Sequence, residues 1–249
     1  MKQKRILIGA PVRQDHTTFY KYLKGLRQLD TTGFHVGFFF ILHNSPRLKR
    51  FLKPDQYIEF TSHNEYKRDE YTHHWSTGNL KDVTKMKNDL LHRTLTGFYD
   101  YFFLVDSDLI LQPQTLQKLL SHKKDICAEV FWTAWTPESE PMPNAWQADY
   151  YSFYANEWRN WHKAGLYQVG MSGACILISK KVLKDGVNYS PISNVSHSIW
   201  EDRAFCIRAA VAGYEIWLDT HYPPEHLYRP KTQDVKPSEN RAIKPQHTK

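Results

Sequence analysis

The run Tyr101-Phe-Phe-Leu-Val-Asp-Ser-Asp-Leu109 passes from unbroken apolar residues straight to two carboxylates. Consecutive apolar side chains with no polar alternation fit a strand buried on both faces, as in a parallel sheet covered by helices. Asp106 and Asp108, on a turn leaving that strand, can face one point. Their oxygens are hard ligands that suit Mg²⁺ or Mn²⁺ rather than zinc. A cation held there could bridge the phosphates of a nucleotide diphosphate and take up charge on a leaving group. Two aspartates on a solvated turn would look the same, but open α/β sheets bind ligands beyond the carboxyl ends of their strands, which favours the ligand reading.

The pattern extends in both directions. Arg5 to Ala10 is a short apolar run ended by Pro11. Asp15 or Thr17 can cap a helix that carries Phe19, Tyr22, Leu23, Leu26 and Leu29 at helical spacing. His35 to Leu42 reads as a second buried strand and Tyr57 to Phe60 as a short third. Residues 61–80, with His63, His73 and His74, read as a polar loop, and Asp82 to Phe98 as a helix. Downstream, Pro113 is placed as the first residue of a helix. Asp125 to Trp132 and Gly173 to Ser179 read as strands, Ser198 to Ala212 as a helix stopped by Gly213, and Tyr214 to Leu218 as the last strand. Strands alternating with helices predict an α/β fold with a mostly parallel central sheet and helices on both faces. One catalytic domain is expected over residues 1–229, with about 1–112 holding a nucleotide and 113–229 an acceptor. Residues 230–249, polar, Lys-rich and Pro-containing, are expected to form a basic flexible tail.

Bulk properties narrow the classes. With 249 residues and 41% hydrophobic content the chain can bury a substantial core. A net charge of +7 and a pI near 9.1 favour anionic partners, among them nucleotide diphosphates, nucleic acid and acidic lipid heads. No Lys and Arg run is dense enough for a dedicated nucleic-acid arm. Cys127, Cys175 and Cys206 are widely spaced in apolar surroundings, so they read as buried thiols and not as a disulfide framework. The apolar run after the basic N-terminus is too short for a signal peptide, and no stretch approaches a membrane span, so a cytoplasmic protein is expected.

The segment Gly97-Phe-Tyr-Asp-Tyr-Phe-Phe-Leu-Val-Asp-Ser-Asp-Leu109 resembles the DxD region of GT-A glycosyltransferases, above all the inverting family two and its mannosyltransferase-like relatives. Where those enzymes carry an Arg-Asn pair on the preceding helix, this chain has Lys87-Asn88, which keeps the charge and loses the bidentate fork. Gly170-Met-Ser-Gly-Ala-Cys175 resembles the family's glycine-containing strand entry beside the donor sugar, which points to Gly173. Trp200-Glu-Asp-Arg203 looks like its "ED" helix, with Gly213-Tyr-Glu-Ile-Trp217 like the strand that follows. The resemblance implies a GT-A, Rossmann-like nucleotide-diphospho-sugar transferase fold. It implies Asp202 as the general base that takes the acceptor proton, with Trp200 and Glu201 beside the sugar or acceptor. It implies a metal, Mn²⁺ or Mg²⁺, held by Asp108 and His226, with Asp106 on the metal or on the ribose beside Ser107. His221 is the other candidate histidine; His226 is preferred for its spacing from Asp202 and its His-Leu-Tyr context. Pro11, Arg13 and Asn44, after the first two strands, would hold the nucleobase. The donor would be a nucleotide diphosphate sugar, with UDP or GDP foremost, and the acceptor a glycan, protein or other hydroxyl group. The helix start has a structural reading too, since Ser198 and Glu201 form an S-x-x-E capping box; on balance Glu201 reads as the cap and Asp202 as the base.

Trp132, Trp135, Trp146, Trp158 and Trp161 crowd one stretch. Flat rings suit the C–H face of a sugar, and they equally suit a small aromatic core. Prolines 137, 141 and 143 suggest a loop that could close over the site. The charge and the aromatics also admit hydroxylated DNA bases as acceptors. A metal-dependent nucleotidyltransferase or phosphohydrolase is a further alternative, although the usual Gly-rich phosphate loop is missing after the first strand.

Overall fold

The computed structural model describes residues 3–64, 66–68, 73–136, 138–148, 157–195 and 199–228. Along the chain run β1 (Lys4–Val12), α1 (His16–Arg27), β2 (Phe34–His43), β3 (Tyr57–Phe60), α2 (Thr77–Thr96), β4 (Tyr101–Leu104) and α3 (Thr115–Ser121). Then follow β5 (Ile126–Glu129), β6 (Leu166–Val169), β7 (Ile176–Ser179), α4 (Lys180–Lys184), α5 (Glu201–Val211) and β8 (Ile216–Asp219). The eight strands form one sheet in the order β6-β8-β5-β7-β4-β1-β2-β3. β3, β2, β1 and β4 pair in parallel, as do β5 and β8; β7 runs antiparallel between β4 and β5, and β6 closes the far edge antiparallel to β8. The sheet is therefore mostly parallel, as expected.

Strand alternation explains why both faces are covered. Leu7, Phe39, Phe102, Leu104, Ile176 and Ile178 face one side, where they pack with Met86, Leu90 and Leu91 of α2 and Phe205 and Ala209 of α5. Ile6, Ile8, Phe40, Phe103 and Leu177 face the other, against Phe19, Tyr22 and Leu26 of α1 and Leu116 and Leu119 of α3. Asp15 caps α1, its carboxylate accepting from the N–H groups of Thr17 and Thr18. All three cysteines are buried and unpaired.

Several sequence expectations are corrected. Pro11 does not end β1, which pairs with β2 as far as Val12↔Leu42. Its missing N–H costs no ladder bond, because the β4 side of the pairing has already ended at Gly9↔Leu104. Pro113 lies ahead of α3, whose N-cap is Gln114; its carbonyl instead accepts from the Asp30 N–H. Residues 61–80 are more than a loop, since Lys67–Arg68 pairs with His73–His74 and α2 begins at Thr77. β6 and α4 had no clear sequence signal. α5 starts at Glu201 with Trp200 as N-cap and no side-chain cap bond. Ser198 of the expected capping box, Pro137 and the tail 230–249 lie outside the described residues. No described helix is long and apolar enough to cross a membrane.

The tightest approach in the sheet lies at Gly9, where an added Cβ would sit 2.1 Å from the Phe39 carbonyl oxygen of β2. Gly9→Ala must spread β1 from β2. It is expected to cost about 2–3 kcal/mol, read as a lowered urea midpoint; an unchanged midpoint would show that β1 and β2 do not approach this closely.

Candidate active site

Because β1, β2, β4, β5 and β8 run in one direction, their carboxyl ends share one rim, and antiparallel β7 brings its start to the same rim. Asp106 and Asp108 leave β4 there, and Gly173 precedes β7. Three groups of side chains meet along this edge.

The first centres on Lys87. α2 buries its side chain, and Nζ donates to Glu201 Oε1 at 2.9 Å and to Asp202 Oδ1 at 2.8 Å, both in the first turn of α5. The ammonium also lies 5.1 Å from the centre of the Tyr189 ring. Burial alone would depress Lys87, but Asp202, Glu201 and Asp106 hold it well above its usual value. Burial pushes Asp202 up to about 6, with Lys87 pulling down and Glu201 pushing up. Burial also raises Asp106, to about 7, against the pull of Lys87 and with the push of Asp108, Asp202 and Glu201. Asp106 is thus in electrostatic contact with both the DxD turn and the α5 start. Of the two acids on α5, the Glu201 side chain is 11% exposed and that of Asp202 27%, so Asp202 is the one that opens to the cleft. Gly173 makes room for it: a Cβ there would stand 2.5 Å from Asp202 Oδ2. The expectation that Glu201 acts as a helix cap is corrected, because its carboxylate is held by Lys87. Lys87, expected on the donor, grips the two acids.

The second group joins Asp108 to His226. Leu109–Ile110 and Glu225–His226 form a short antiparallel ribbon, and the Leu227 N–H donates to the Asp108 carbonyl at 2.8 Å. His226 Nε2 comes within 3.6 Å of Asp108 Oδ2, while its Nδ1 is 2.9 Å from Thr133 Oγ1. Two ligands at about 2.1 Å from one ion stand roughly 3–3.6 Å apart, so this pair fits a shared divalent cation. A ring nitrogen fixed by a hydroxyl is the usual support of a ligating histidine. Asp106 does not complete a trio with them: among the described residues only His122, Asp219 and His221 bring three such ligand atoms within 4.8 Å of one another. His221 belongs to that separate group and not to the DxD turn. Ser107 is buried between the two aspartates.

The third group lies at the ends of β1 and β2. The Arg13 guanidinium stacks over Tyr66 at 4.8 Å, and its NH1 is enclosed without a hydrogen-bond partner. Asn44, expected on the nucleobase, has both ends of its amide engaged by the Ser62 backbone, at 2.8 and 3.0 Å. It clasps the following loop, with a left-handed φ of 49° that asparagine tolerates. Sequence reading missed Asp82 of α2, which accepts from Ser62 Oγ at 2.5 Å and Asn64 Nδ2 at 2.8 Å and lies 3.8 Å from His43 Nε2. Its signal was faint, because a helical residue far along the chain fills a place sought directly after β2.

The aromatic stretch divides. Trp158 and Trp161 are buried core residues. Trp132 stacks on His162 at 3.8 Å, and exposed Trp135 meets Tyr228 edge-on, two residues after His226. Among the described residues it is the beginning of the stretch, at Thr133 and Trp135, that borders the Asp108–His226 group.

A family model described as glycosyltransferase family 25, N-terminal domain, matches residues 46–222. No curated protein sequence matches the chain. Among solved structures it is similar to S. aureus TarS 1-349 in complex with UDP-GlcNAc, at a TM-score of 0.51 and 13% identity, over 89% of this chain and 57% of that one. The mannosyltransferase PcManGT from Pyrobaculum calidifontis, in complex with GDP-Man and Mn²⁺, aligns at a TM-score of 0.49 and 10% identity, over 91% of this chain and 59% of that one. The chain thus spans less than two thirds of either structure. At 13% identity the likeness to TarS speaks for the fold alone, which is that of GT-A glycosyltransferases.

Removing the central cation tests the cluster. Lys87→Met leaves Glu201 and Asp202 enclosed without a counter-charge. It is expected to cost about 3–5 kcal/mol in urea unfolding at pH 8, with a smaller loss at pH 5, below the value of about 6 at which Asp202 takes up a proton. Equal losses at both pH values would show that Lys87 acts by packing and not by charge.

Proposed function

The chain belongs to the family described as glycosyltransferase family 25, N-terminal domain, and from that premise we propose that it is an inverting, divalent-metal-dependent glycosyltransferase. It takes a sugar from a nucleotide diphosphate donor, UDP- or GDP-linked, and passes it to the hydroxyl of a glycan or other acceptor. TarS, which shares the fold, is complexed with UDP-GlcNAc, and this supports the donor class. The observation that carries the reading is the Lys87 bridge, which puts Asp202 within one charge network with the DxD turn.

In this reading Asp202 Oδ2 takes the proton of the acceptor hydroxyl. The acceptor's hydroxyl oxygen, freed of its proton, bonds to the anomeric carbon from the side opposite the leaving group, and the bond from carbon to the diphosphate oxygen breaks with its electron pair going to the nucleotide diphosphate. A carboxylate with a value of about 6 is ionised at neutral pH and close enough to it to be an effective base. Asp108 and His226 would hold Mn²⁺ or Mg²⁺, and a bound cation of this kind neutralises charge on a departing diphosphate. Asp106 and Ser107 would face the ribose or the metal's water shell. Pro11 and Arg13 would hold the base, with Asp82 near them at the end of β2. Gly173 and Trp200 would border the transferred sugar, and Lys87 with Glu201 would fix the direction of Asp202. Residues up to about 112 would serve the nucleotide and those from 113 the acceptor.

Asp202→Asn is expected to lower transfer by at least about 10²-fold, while a Mn²⁺-dependent rise in melting temperature with UDP- or GDP-sugars persists. Full transfer by this variant would remove Asp202 as the base. The base must be unprotonated, so kcat/KM is expected to be level above pH 7 and to fall below about pH 6; a profile flat down to pH 4.5 would contradict the assignment. Asp108→Asn and His226→Ala are each expected to abolish the metal-dependent part of the thermal shift, and a shift unchanged in both would place the cation elsewhere.

A further inference from the structure

Farther along the same rim, at the ends of β5 and β8, His122, Asp219 and His221 bring three ligand atoms within 4.8 Å of one another. His122 follows α3, and the other two follow from β8, so separate parts of the fold build the cluster. Asp219 is fully buried. Its Oδ1 accepts from the His221 N–H at 2.9 Å, which turns Oδ2 toward both rings: His221 Nδ1 lies 3.0 Å from Oδ2, and His122 Nε2 also contacts it. Glu129, likewise fully buried, is the partner of Asp219 in the β5–β8 ladder. Its Oε1 accepts from the Tyr222 N–H at 3.3 Å, and its carboxyl shares a hydrogen bond with that of Asp219. Two imidazoles from separate parts of the fold thus converge on a buried carboxylate that a second buried carboxyl holds in place. The histidine side chains are 13% and 28% exposed, so one side of the group is open for an ion to enter.

We propose that His122, Asp219 and His221, backed by Glu129, form a second divalent-metal site that takes Zn²⁺, distinct from the Asp108–His226 pair. Two imidazole nitrogens with carboxylate oxygen are a donor set that zinc accepts in tetrahedral geometry. Glu129, hydrogen-bonded to Asp219, is the acid that supports it. The site ties the segment after β8 to α3 and β5. That segment leads on to His226, so a cation here would steady the strand end that carries the proposed donor-metal ligand.

The test is calorimetric titration of the EDTA-stripped full chain with ZnCl₂ alone, in the Asp108→Asn variant so that the DxD turn does not contribute. One equivalent is expected, with X-ray absorption showing imidazole nitrogens at about 2.0–2.1 Å. His122→Gln and His221→Gln, each checked for folding by circular dichroism, are expected to weaken binding by at least 100-fold. No zinc binding in the Asp108→Asn protein, full binding retained in both glutamine variants, or an absorption spectrum without imidazole scattering would overturn the proposal. If the glutamine variants fail to fold, the absorption spectrum decides on its own. The readout is metal binding, so it stands or falls independently of sugar transfer.

Discussion

The Lys87 ammonium, enclosed between Glu201 and Asp202, is the contact that organises the rest of the rim. A buried cation is tolerable only with compensating anions, and a buried pair of carboxylates only with a cation. Each therefore fixes the others, and with them the placement of α2 against the start of α5. The bridge also explains why two adjacent acids differ. Glu201 is drawn inward and behaves as a fixed counter-ion, while Asp202 keeps one oxygen on Lys87 and turns the other over Gly173 toward the cleft. The glycine is needed because any side chain there would occupy the place of that oxygen.

Sheet topology converts this local pairing into a site. Strands from both halves of the chain end on one rim, so Arg13 and His43, the DxD turn and Glu129 with Asp219 follow one another along it. β7 is the exception that completes it, since its reversed direction brings Gly173 to the rim at the strand's start. The ribbon between Leu109–Ile110 and Glu225–His226 does the same for a residue far from Asp108 in sequence.

What could be read from sequence follows from how local each signal is. The buried strands, the α1 cap at Asp15 and the end of α5 at Gly213 depend on neighbours a few residues away, and each appears in the structure. The choice of His226 over His221 rested on resemblance; the ribbon sets His226 beside Asp108, while His221 lies against Asp219. Readings that depended on distant partners fared worse. Glu201 looked like a cap because its nearest chain neighbours said so, and Lys87, more than a hundred residues earlier, claims it instead. Asn44 had a plausible position, but Ser62 takes its amide. Asp82 stands beside His43 only because α2 crosses the ends of the first strands. Trp158 and Trp161 are indistinguishable from Trp135 by composition, and burial alone separates the core rings from the exposed one beside Tyr228.

The charge balance of the rim bears on how a donor would enter. Asp106, Glu201 and Asp202 surround the buried Lys87 ammonium, with Asp108 acting on Asp106, and burial raises Asp106 to about 7. An anionic diphosphate approaching this wall meets repulsion unless positive charge arrives with it. Arg13 stacks on Tyr66 at the ends of β1 and β2. On the proposed reading it serves the nucleoside end of a donor and leaves the phosphates to a cation. On the proposed reading, the acidic cluster therefore excludes free nucleotide diphosphate and admits the metal-bound form. On that reading, the acids that position the base would also favour the metal-bound species on which it acts.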